Sequence, residues 1–314
     1  MSFRNNALDF VTSDTVSRLL DYPSLFKAIE KGLANFSNRK AGGIDQPVRS
    51  TVAVAEANGF LGCMPVYSKE DDVLATKLVS FYPLNKDCPT HSAIIAVFYP
   101  QTGIPRAILD GDVITAKRTA ATSLVASKYL VNGEPKILAI LGSGVQAKSH
   151  YEAFCHLYNF TEVRIWNHRK EGAQRLADEL GSKCVAVDHV AVAVENADVI
   201  VTATSATEPV LKLEWVKPGV HINAVGACRP NWSEIDPLLM NAATVYVDSQ
   251  EGALKESGDI IISRSPIFAE IGEVINGTKE GKRKEITVFK SLGMAIEDAI
   301  AAKIVLDKME SLPS

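Results

Sequence analysis

The chain has 314 residues, 46% of them hydrophobic and 22% charged, a length that predicts about two domains with their own cores. A net charge of −4 gives no basic footprint for nucleic acid, and no run of about 18 apolar residues predicts a membrane span. The N-terminal MSFRNNALDFVTSDTV lacks the apolar stretch of a signal peptide, and the five dispersed cysteines form no CxxC pair. We expect a cytoplasmic protein with no metal site.

The first hundred or so residues predict one helix followed by successive strands. Residues 14–36 carry helical periodicity, with Ser13 or Asp14 as the N-cap. Turn signals separate the predicted strands, which are 48–55, 60–67, 74–82, 93–99 and 106–109. A helix follows at about 114–129. This succession predicts an antiparallel sheet or half-barrel.

From residue 136 onward the pattern changes to alternating strands and helices. The predicted strands are 137–141, 163–166, 199–203, 221–225 and 244–247, with 183–187 as a further candidate. The predicted helices are 147–158, 172–180 and 188–196. A strand at 287–290 leads into SLGMAIEDAIAAKIVLDKM, which is typical of a long final helix. The alternation predicts an α/β fold with a Rossmann-type, doubly wound parallel sheet.

The stretch ILGSGVQA, residues 140–147, follows the first of these strands. Gly142, Gly144 and Ala147 match the pattern G-x-G-x-x-G/A, which is weak alone but stronger between a strand and a helix. A helix N-terminus reached through such a turn is suited to the pyrophosphate of a dinucleotide. The alternative is a purely structural glycine turn.

The end of the second strand of this domain indicates which dinucleotide is preferred. An NAD site would place an acid there, but the chain continues Asn167-His168-Arg169 and has no carboxylate before Glu171. An arginine favours a ribose 2′-phosphate. We therefore expect NADPH, with NADH less favoured.

Several sequence blocks together resemble the ornithine cyclodeaminase/mu-crystallin family, and most closely its mu-crystallin branch of NADPH-dependent ketimine reductases. The blocks are GIDQPVRS, LATKLVSFY, ILDGDVITAKRTAATS, ILGSGVQA, VRIWNHRKEGA, ADVIVTATSATEPVL, HINAVGA and VFKSLGMAIEDAIAAK. The resemblance implies a homodimer whose subunits join two domains. One is an α+β dimerisation and substrate domain, residues 1–118. Residues 295–314 are compatible with a return of the chain to this domain. The other is an NADP-binding Rossmann domain, residues 119–294.

The resemblance also implies site residues. Its PVR, TK and KR motifs, which line the substrate pocket, correspond here to Arg49, Lys77 and Arg118. Its cofactor contacts correspond to Gly142, Gly144, Val145, Gln146, Asn167, His168, Arg169, Thr204, Val225 and Ala227, with Leu292 near the nicotinamide. Thr119, beside Arg118, is a further candidate for a cofactor phosphate. Asn-His-Arg stands where the family often has Asn-Arg-Thr, which leaves open which side chain meets the 2′-phosphate.

These cations suggest a small substrate with a carboxylate, since a guanidinium binds that group in bidentate fashion. A cyclic imine such as piperideine-2-carboxylate or pyrroline-2-carboxylate would accept a hydride at its C=N carbon and become a cyclic imino acid. The imine nitrogen must gain a proton. Lys77 is the predicted donor if burial or the neighbouring arginines lower its pKa, and His91 is a weaker candidate.

Two other readings stay open. Cyclodeaminases and amino-acid dehydrogenases of the family tend to carry an aspartate where this chain has Cys228, in Gly226-Ala227-Cys228, which disfavours that chemistry here. Mu-crystallin-like chains can also be NADPH-dependent binders of iodothyronines or structural lens proteins. An iodothyronine offers a carboxylate to the same arginines.

Overall fold

The structure is a computed structural model that describes residues 8–312. The first seven residues, part of the segment assessed for a signal peptide, and the last two lie outside the described residues. The chain divides into two compact units: the first ends at Arg118 and resumes at Met294, and the second is Thr119–Gly293. One helix, α3 (Gly111–Leu130), carries the chain from the first unit into the second.

A mixed sheet forms the base of the first unit. Among the described residues its seven strands are β1 (Asp9–Val11), β2 (Ile44–Asp45), β3 (Ser50–Val54), β4 (Gly59–Ser68), β5 (Val73–Phe81), β6 (His91–Phe98) and β7 (Pro105–Asp110). Their order is β1-β7-β6-β5-β4-β2, with β3 paired to β4. β1 runs parallel to β7, and the other neighbours are antiparallel. The predicted antiparallel arrangement is confirmed, and β1 and β2 add strands that the sequence pattern did not indicate.

The predicted single helix at 14–36 is wrong, because two helices occupy this segment. They are α1 (Ser13–Leu19) and α2 (Tyr22–Ser37). Asp21 leaves the helical conformation between them and caps α2 by accepting a hydrogen bond of 2.8 Å from the Ser24 amide. Pro23, at the start of α2, lacks the amide proton that a continuous helix would require.

The final helix, α11 (Ala295–Glu310), packs with α2 on one face of this sheet. Strand β5 alternates as a half-buried strand should, with Val73, Ala75, Lys77 and Val79 on the covered face. The opposite face is apolar but exposed. Phe10, Leu61, Tyr67 and Ile94 lie there, with exposed fractions of 59, 43, 38 and 37%.

A parallel sheet forms the second unit. Its eight described strands are β8 (Ile137–Leu141), β9 (Glu162–Trp166), β10 (Cys184–Ala186), β11 (Val199–Thr202), β12 (His221–Ala224), β13 (Thr244–Val247), β14 (Ile267–Glu270) and β15 (Thr287–Lys290). Their order is β10-β9-β8-β11-β12-β15-β13-β14, and every pair is parallel. The strand order reverses between β8 and β11, which is where Rossmann-type sheets bind dinucleotides. The predicted fold class is confirmed.

The described helices of this unit, after α3, are α4 (Val145–Phe154), α5 (Lys170–Leu180), α6 (Val190–Val194), α7 (Pro237–Ala242), α8 (Gln250–Glu256), α9 (Gly258–Ser263) and α10 (Ile271–Ile275). Between residues 237 and 275 the sequence predicted only the strand at 244–247, so α7 to α10 and β14 are new. The core is built from aliphatic strand residues such as Ile200, Ile222 and Val288, each fully buried. No helix among residues 8–312 combines the length and apolar character needed to cross a membrane.

Candidate functional site

The glycine turn after β8 lies close against the chain at the end of β11. Gly142 has φ +125°, and a Cβ on it would stand 2.3 Å from the Ala203 carbonyl oxygen at the end of β11. Gly144 is the N-cap of α4 and receives no side-chain cap. A Cβ on Gly144 would meet no described atom within 4 Å. The first glycine is needed for packing, whereas the second keeps space open in front of a helix N-terminus.

That space is part of a cavity of about 850 Å³ at the carboxyl ends of β8, β9 and β11. Six predicted cofactor contacts line it: Gly142, Gly144, Asn167, His168, Arg169 and Thr204. The amide groups of the first α4 turn have no intrahelical partners, so the helix N-terminus favours an anion such as a diphosphate. The open Gly144 position and the cavity volume fit a bound dinucleotide.

The wall of this cavity beyond β9 contains side chains that the sequence reading did not single out. Arg175 and Glu171 on α5 line it together with Arg169. Asn167 shapes the turn by donating a hydrogen bond of 3.0 Å to the Arg169 carbonyl. Gly172 lets α5 approach, since a Cβ there would lie 2.6 Å from the Ser143 hydroxyl. Two guanidinium groups and one carboxylate thus give this end of the cavity a positive balance.

The remaining predicted cofactor contacts lie elsewhere in the described chain. Val145 is exposed in the first turn of α4, next to the half-buried Gln146. The others are Thr119 and Ala227, both buried, Val225, half-buried after β12, and Leu292. The Leu292 side chain belongs to the hydrophobic core, and its amide donates a hydrogen bond of 2.6 Å to Asp248.

In the first unit, one carboxylate joins two of the predicted substrate-binding cations. Lys77 on β5 is 3% exposed, and its Nζ lies 2.7 Å from Asp298 Oδ2. Arg118 on α3 is 4% exposed and donates from Nε to Asp298 Oδ1 at 2.9 Å. Its Nη1 donates to Glu297 Oε2 at 2.7 Å. Both acids are in the first turn of α11.

Burial and charge set the protonation of this cluster. Burial lowers the Lys77 pKa to about 8; Asp298 opposes this shift, and Arg118 and Arg49 add to it. Burial alone would raise the pKa of Asp298, but Arg118 and Lys77 hold it below its usual value. The two acids likewise outweigh burial and raise the Arg118 pKa. Near neutral pH Arg118 and Asp298 are therefore charged. The lowered pKa of Lys77 lies close enough to this pH for the side chain to release and regain a proton.

The other predicted substrate residues lie at different distances from this cluster. Arg49 is half-buried in the loop just before β3, because the strand predicted at 48–55 begins only at Ser50, and its charge acts on Lys77. His91 pairs with Phe81, four residues from Lys77 along β5, which places it about 13 Å away on the same face. Its Nδ1 lies 3.0 Å from Asp112 Oδ1. The structure does not bring His91 to the ammonium group of Lys77.

Helix α3 begins at Gly111, three residues before the predicted start at 114, so Arg118 lies well inside the helix. The neighbouring Lys117 is half-buried and donates to the carbonyl oxygens of Ser17 and Leu20. Of these two neighbouring residues, it is Arg118 whose side chain contacts the acids of α11.

The model of the ornithine cyclodeaminase/mu-crystallin family matches residues 7–312. The chain belongs to this family. It is 51% identical to the ketimine reductase mu-crystallin of Macropus fuliginosus over 306 residues, covering 96% of this chain and 98% of the relative.

Two solved structures that are similar to this chain extend the comparison. One is the Thermococcus litoralis Delta(1)-pyrroline-2-carboxylate reductase in complex with NADH and L-proline. It has a TM-score of 0.92 and 36% identity and covers 96% of this chain and 98% of that one. The other is an archaeal alanine dehydrogenase dimer with bound NAD, with a TM-score of 0.89, 29% identity and 98% of each chain covered.

Proposed function

We propose that this protein is an NADPH-dependent ketimine reductase that converts cyclic imine 2-carboxylates of the pyrroline and piperideine type into cyclic imino acids. The observation that carries the proposal is the buried Lys77, whose pKa near 8 suits a proton donor, held beside Arg118 by Asp298. The names of the relatives from Macropus fuliginosus and Thermococcus litoralis support the same reaction class. A reduced nicotinamide, when bound, supplies the hydride.

Arg49 and Arg118 are the proposed carboxylate ligands. A planar guanidinium matches a carboxylate better than an ammonium does, and exclusion of water strengthens the pair. Glu297 and Asp298 occupy two donors of Arg118 and fix the plane of its guanidinium. A substrate carboxylate would therefore meet an orientation set before binding, which reduces the entropic cost of binding.

Lys77 would give its proton to the imine nitrogen as the adjacent ring carbon accepts the hydride, so that C=N becomes CH–NH. The neutral amine of Lys77 is then reprotonated from solvent. An ammonium with an ordinary lysine pKa would hold its proton more tightly, and Arg118 and Arg49 help by favouring neutral Lys77. Asp298 keeps the amine in place in both states.

Backbone amides at the start of α4 would hold the diphosphate, and Arg169 with Arg175 would receive a 2′-phosphate. The positive balance of this cavity end supports NADPH over NADH. Replacing Arg169 by alanine should weaken NADPH binding about tenfold or more and leave NADH binding nearly unchanged. Titration of protein fluorescence with each nucleotide tests this, and equal losses for both would contradict the preference.

We also propose a homodimer that uses the exposed apolar face of the first sheet, and a cytoplasmic location. The apolar face supports the first proposal, and the archaeal relative is described as a dimer. The five cysteines carry free thiols, which is in keeping with a reducing compartment.

The function is tested by following NADPH oxidation with piperideine-2-carboxylate and pyrroline-2-carboxylate. We expect turnover with both, loss of at least about a hundredfold in Lys77→Met, and little change in Lys117→Met, whose lysine precedes Arg118 and donates to the backbone carbonyls of Ser17 and Leu20. An added iodothyronine should compete through its carboxylate. Ammonia release from ornithine, or iodothyronine binding without imine reduction, would contradict the proposal.

A further inference from the structure

A second group of buried charges lies beneath the cofactor cavity of the second unit, and the proposed reaction does not use it. Glu234, Asp259 and Lys290 are each at most 1% exposed. Glu234 lies in the loop after β12, Asp259 is in α9, and Lys290 ends β15. Ionised groups are rarely buried without a structural or functional need.

The Glu234 carboxylate binds the chain at the end of β11. Its Oε1 accepts hydrogen bonds of 2.6 Å from both the amide and the hydroxyl of Thr204, and its Oε2 accepts one of 2.9 Å from the Thr202 hydroxyl. Thr204 lines the cavity, and the carbonyl of Ala203 is the group that closely approaches Gly142. One side chain thus fixes the loop 202–204 against the glycine turn.

The hydroxyl of Thr204 has its single proton committed to this contact. It also accepts a hydrogen bond of 3.1 Å from the Ala206 amide. The loop 202–206 is therefore shaped from below by Glu234, and Thr204 meets a ligand as part of the cavity wall and not as a hydroxyl donor.

Lys290 and Asp259 support the same place from the other side. Lys290 donates to the Gly226 carbonyl after β12 and lies 3.2 Å from Asp259 Oδ2. Asp259 Oδ1 accepts the Glu234 amide at 2.8 Å. A Cβ on Gly226 would lie 2.4 Å from both the Glu234 carboxylate and the Thr204 carbonyl. The ends of β11, β12 and β15 are thereby joined through one buried network.

We propose that Glu234 is a positioning residue for the dinucleotide: its carboxylate holds the loop 202–206 in the conformation that receives the cofactor, and Lys290 with Asp259 keeps that carboxylate in place. The inference rests on the proposed function. Glu270 in the same unit serves an ordinary capping role, so the comparison between it and Glu234 is informative.

The test compares Glu234→Gln with Glu270→Gln. Glu270 is equally buried, at 1%, and accepts the Gln250 amide at 3.0 Å, but it caps α10 at the end of the edge strand β14. In Glu234→Gln the new amide opposes threonine donors, so the loop should loosen. We expect the NADPH dissociation constant and KM to rise about tenfold, with kcat within about twofold and the imine KM unchanged.

Hydrogen exchange of the nucleotide-free protein supplies a readout independent of activity. Amides of residues 202–206 should exchange faster in Glu234→Gln and at the wild-type rate in Glu270→Gln, even where both variants melt at a similarly lowered temperature. Unchanged NADPH affinity and unchanged exchange in Glu234→Gln would overturn the inference. A loss of kcat that matched the loss of folded protein, with no other change, would also overturn it. A wild-type protein that binds no nicotinamide nucleotide would instead refute the proposed function.

Discussion

Asp298 is the residue on which both buried cations of the first unit depend. Its two oxygens contact Lys77 and Arg118 separately, at 2.7 and 2.9 Å. The attraction of Asp298 raises the Lys77 pKa, whereas burial, Arg118 and Arg49 lower it. If the Asp298 carboxylate is neutralised, its raising effect is lost, and the Lys77 pKa should therefore fall below about 8.

Asp298→Asn should lower the pKa of Lys77 further, by about one unit or more. Lys77 must be protonated to act as an acid, so activity falls as pH rises through its pKa, and this limb should move to lower pH. The kcat profile from neutral to alkaline pH measures the shift. Glu297→Gln is the control, because Glu297 contacts Arg118 and its loss should leave the limb near pH 8. An unshifted limb in Asp298→Asn would remove Lys77 as the acid.

The two acids of this cluster show why sequence reasoning found only half of it. Cations within apolar strand-like segments attracted attention, since a buried charge needs a partner. Glu297 and Asp298 sit at a helix start, where acids are usual for dipole reasons alone, and Arg118, which contacts both, is 179 and 180 residues away in the chain. The signal available was their flanking by alanine and isoleucine in the part of the helix, residues 295–302, that is buried at every position.

At the level of the element, the turn into α4 combines two glycines with different physical requirements. Gly142 is confined by its positive φ and by the Ala203 carbonyl, whereas Gly144 faces open space. A methyl group would therefore disturb the fold at one position and only the ligand space at the other.

Gly142→Ala should be destabilised by several kcal/mol, because φ +125° and a 2.3 Å contact must both be relieved. Gly144→Ala should keep a melting temperature close to wild type but bind NADPH at least about tenfold more weakly. Thermal unfolding and fluorescence titration of both variants check this pair. Wild-type nucleotide affinity in Gly144→Ala would argue against the cradle.

Elements with regular periodicity were predictable, and those set by local caps or long-range packing were not. The strands at 137–141, 244–247 and 287–290 match the structure in both bounds. The helix predicted at 14–36 failed because its apolar spacing continues through a break imposed by Asp21 and Pro23. The short helices α7 to α10 have five to seven residues each, too few for a periodic signal.

On the scale of the whole molecule, the uncovered face of the first sheet is the main feature left to explain. β4, β5 and β6 bring Leu61, Leu78 and Ile94 onto it through their antiparallel register. Single exposed apolar residues are common, but a continuous apolar sheet face is typical of an association surface.

Ile94→Lys should convert the proposed dimer, twice the 33.9 kDa of the chain, into a monomer, because a buried ammonium in that contact is strongly unfavourable. Sedimentation velocity measures the change. Leu254→Lys is the control, since Leu254 is 57% exposed on α8 of the second unit and is not part of this sheet. A wild-type chain that sediments as a monomer would refute the association.

In the proposed dimer, that sheet face would also make folding a bimolecular event. If two chains shield it from water jointly, the free energy of unfolding includes the free energy of association, and each tenfold dilution removes about 1.4 kcal/mol per mole of dimer. Melting curves should then slide to lower temperature as the sample is diluted. Newly made chains would expose this apolar face while they are still monomers. Their survival in the cell would therefore depend on how quickly they encounter one another.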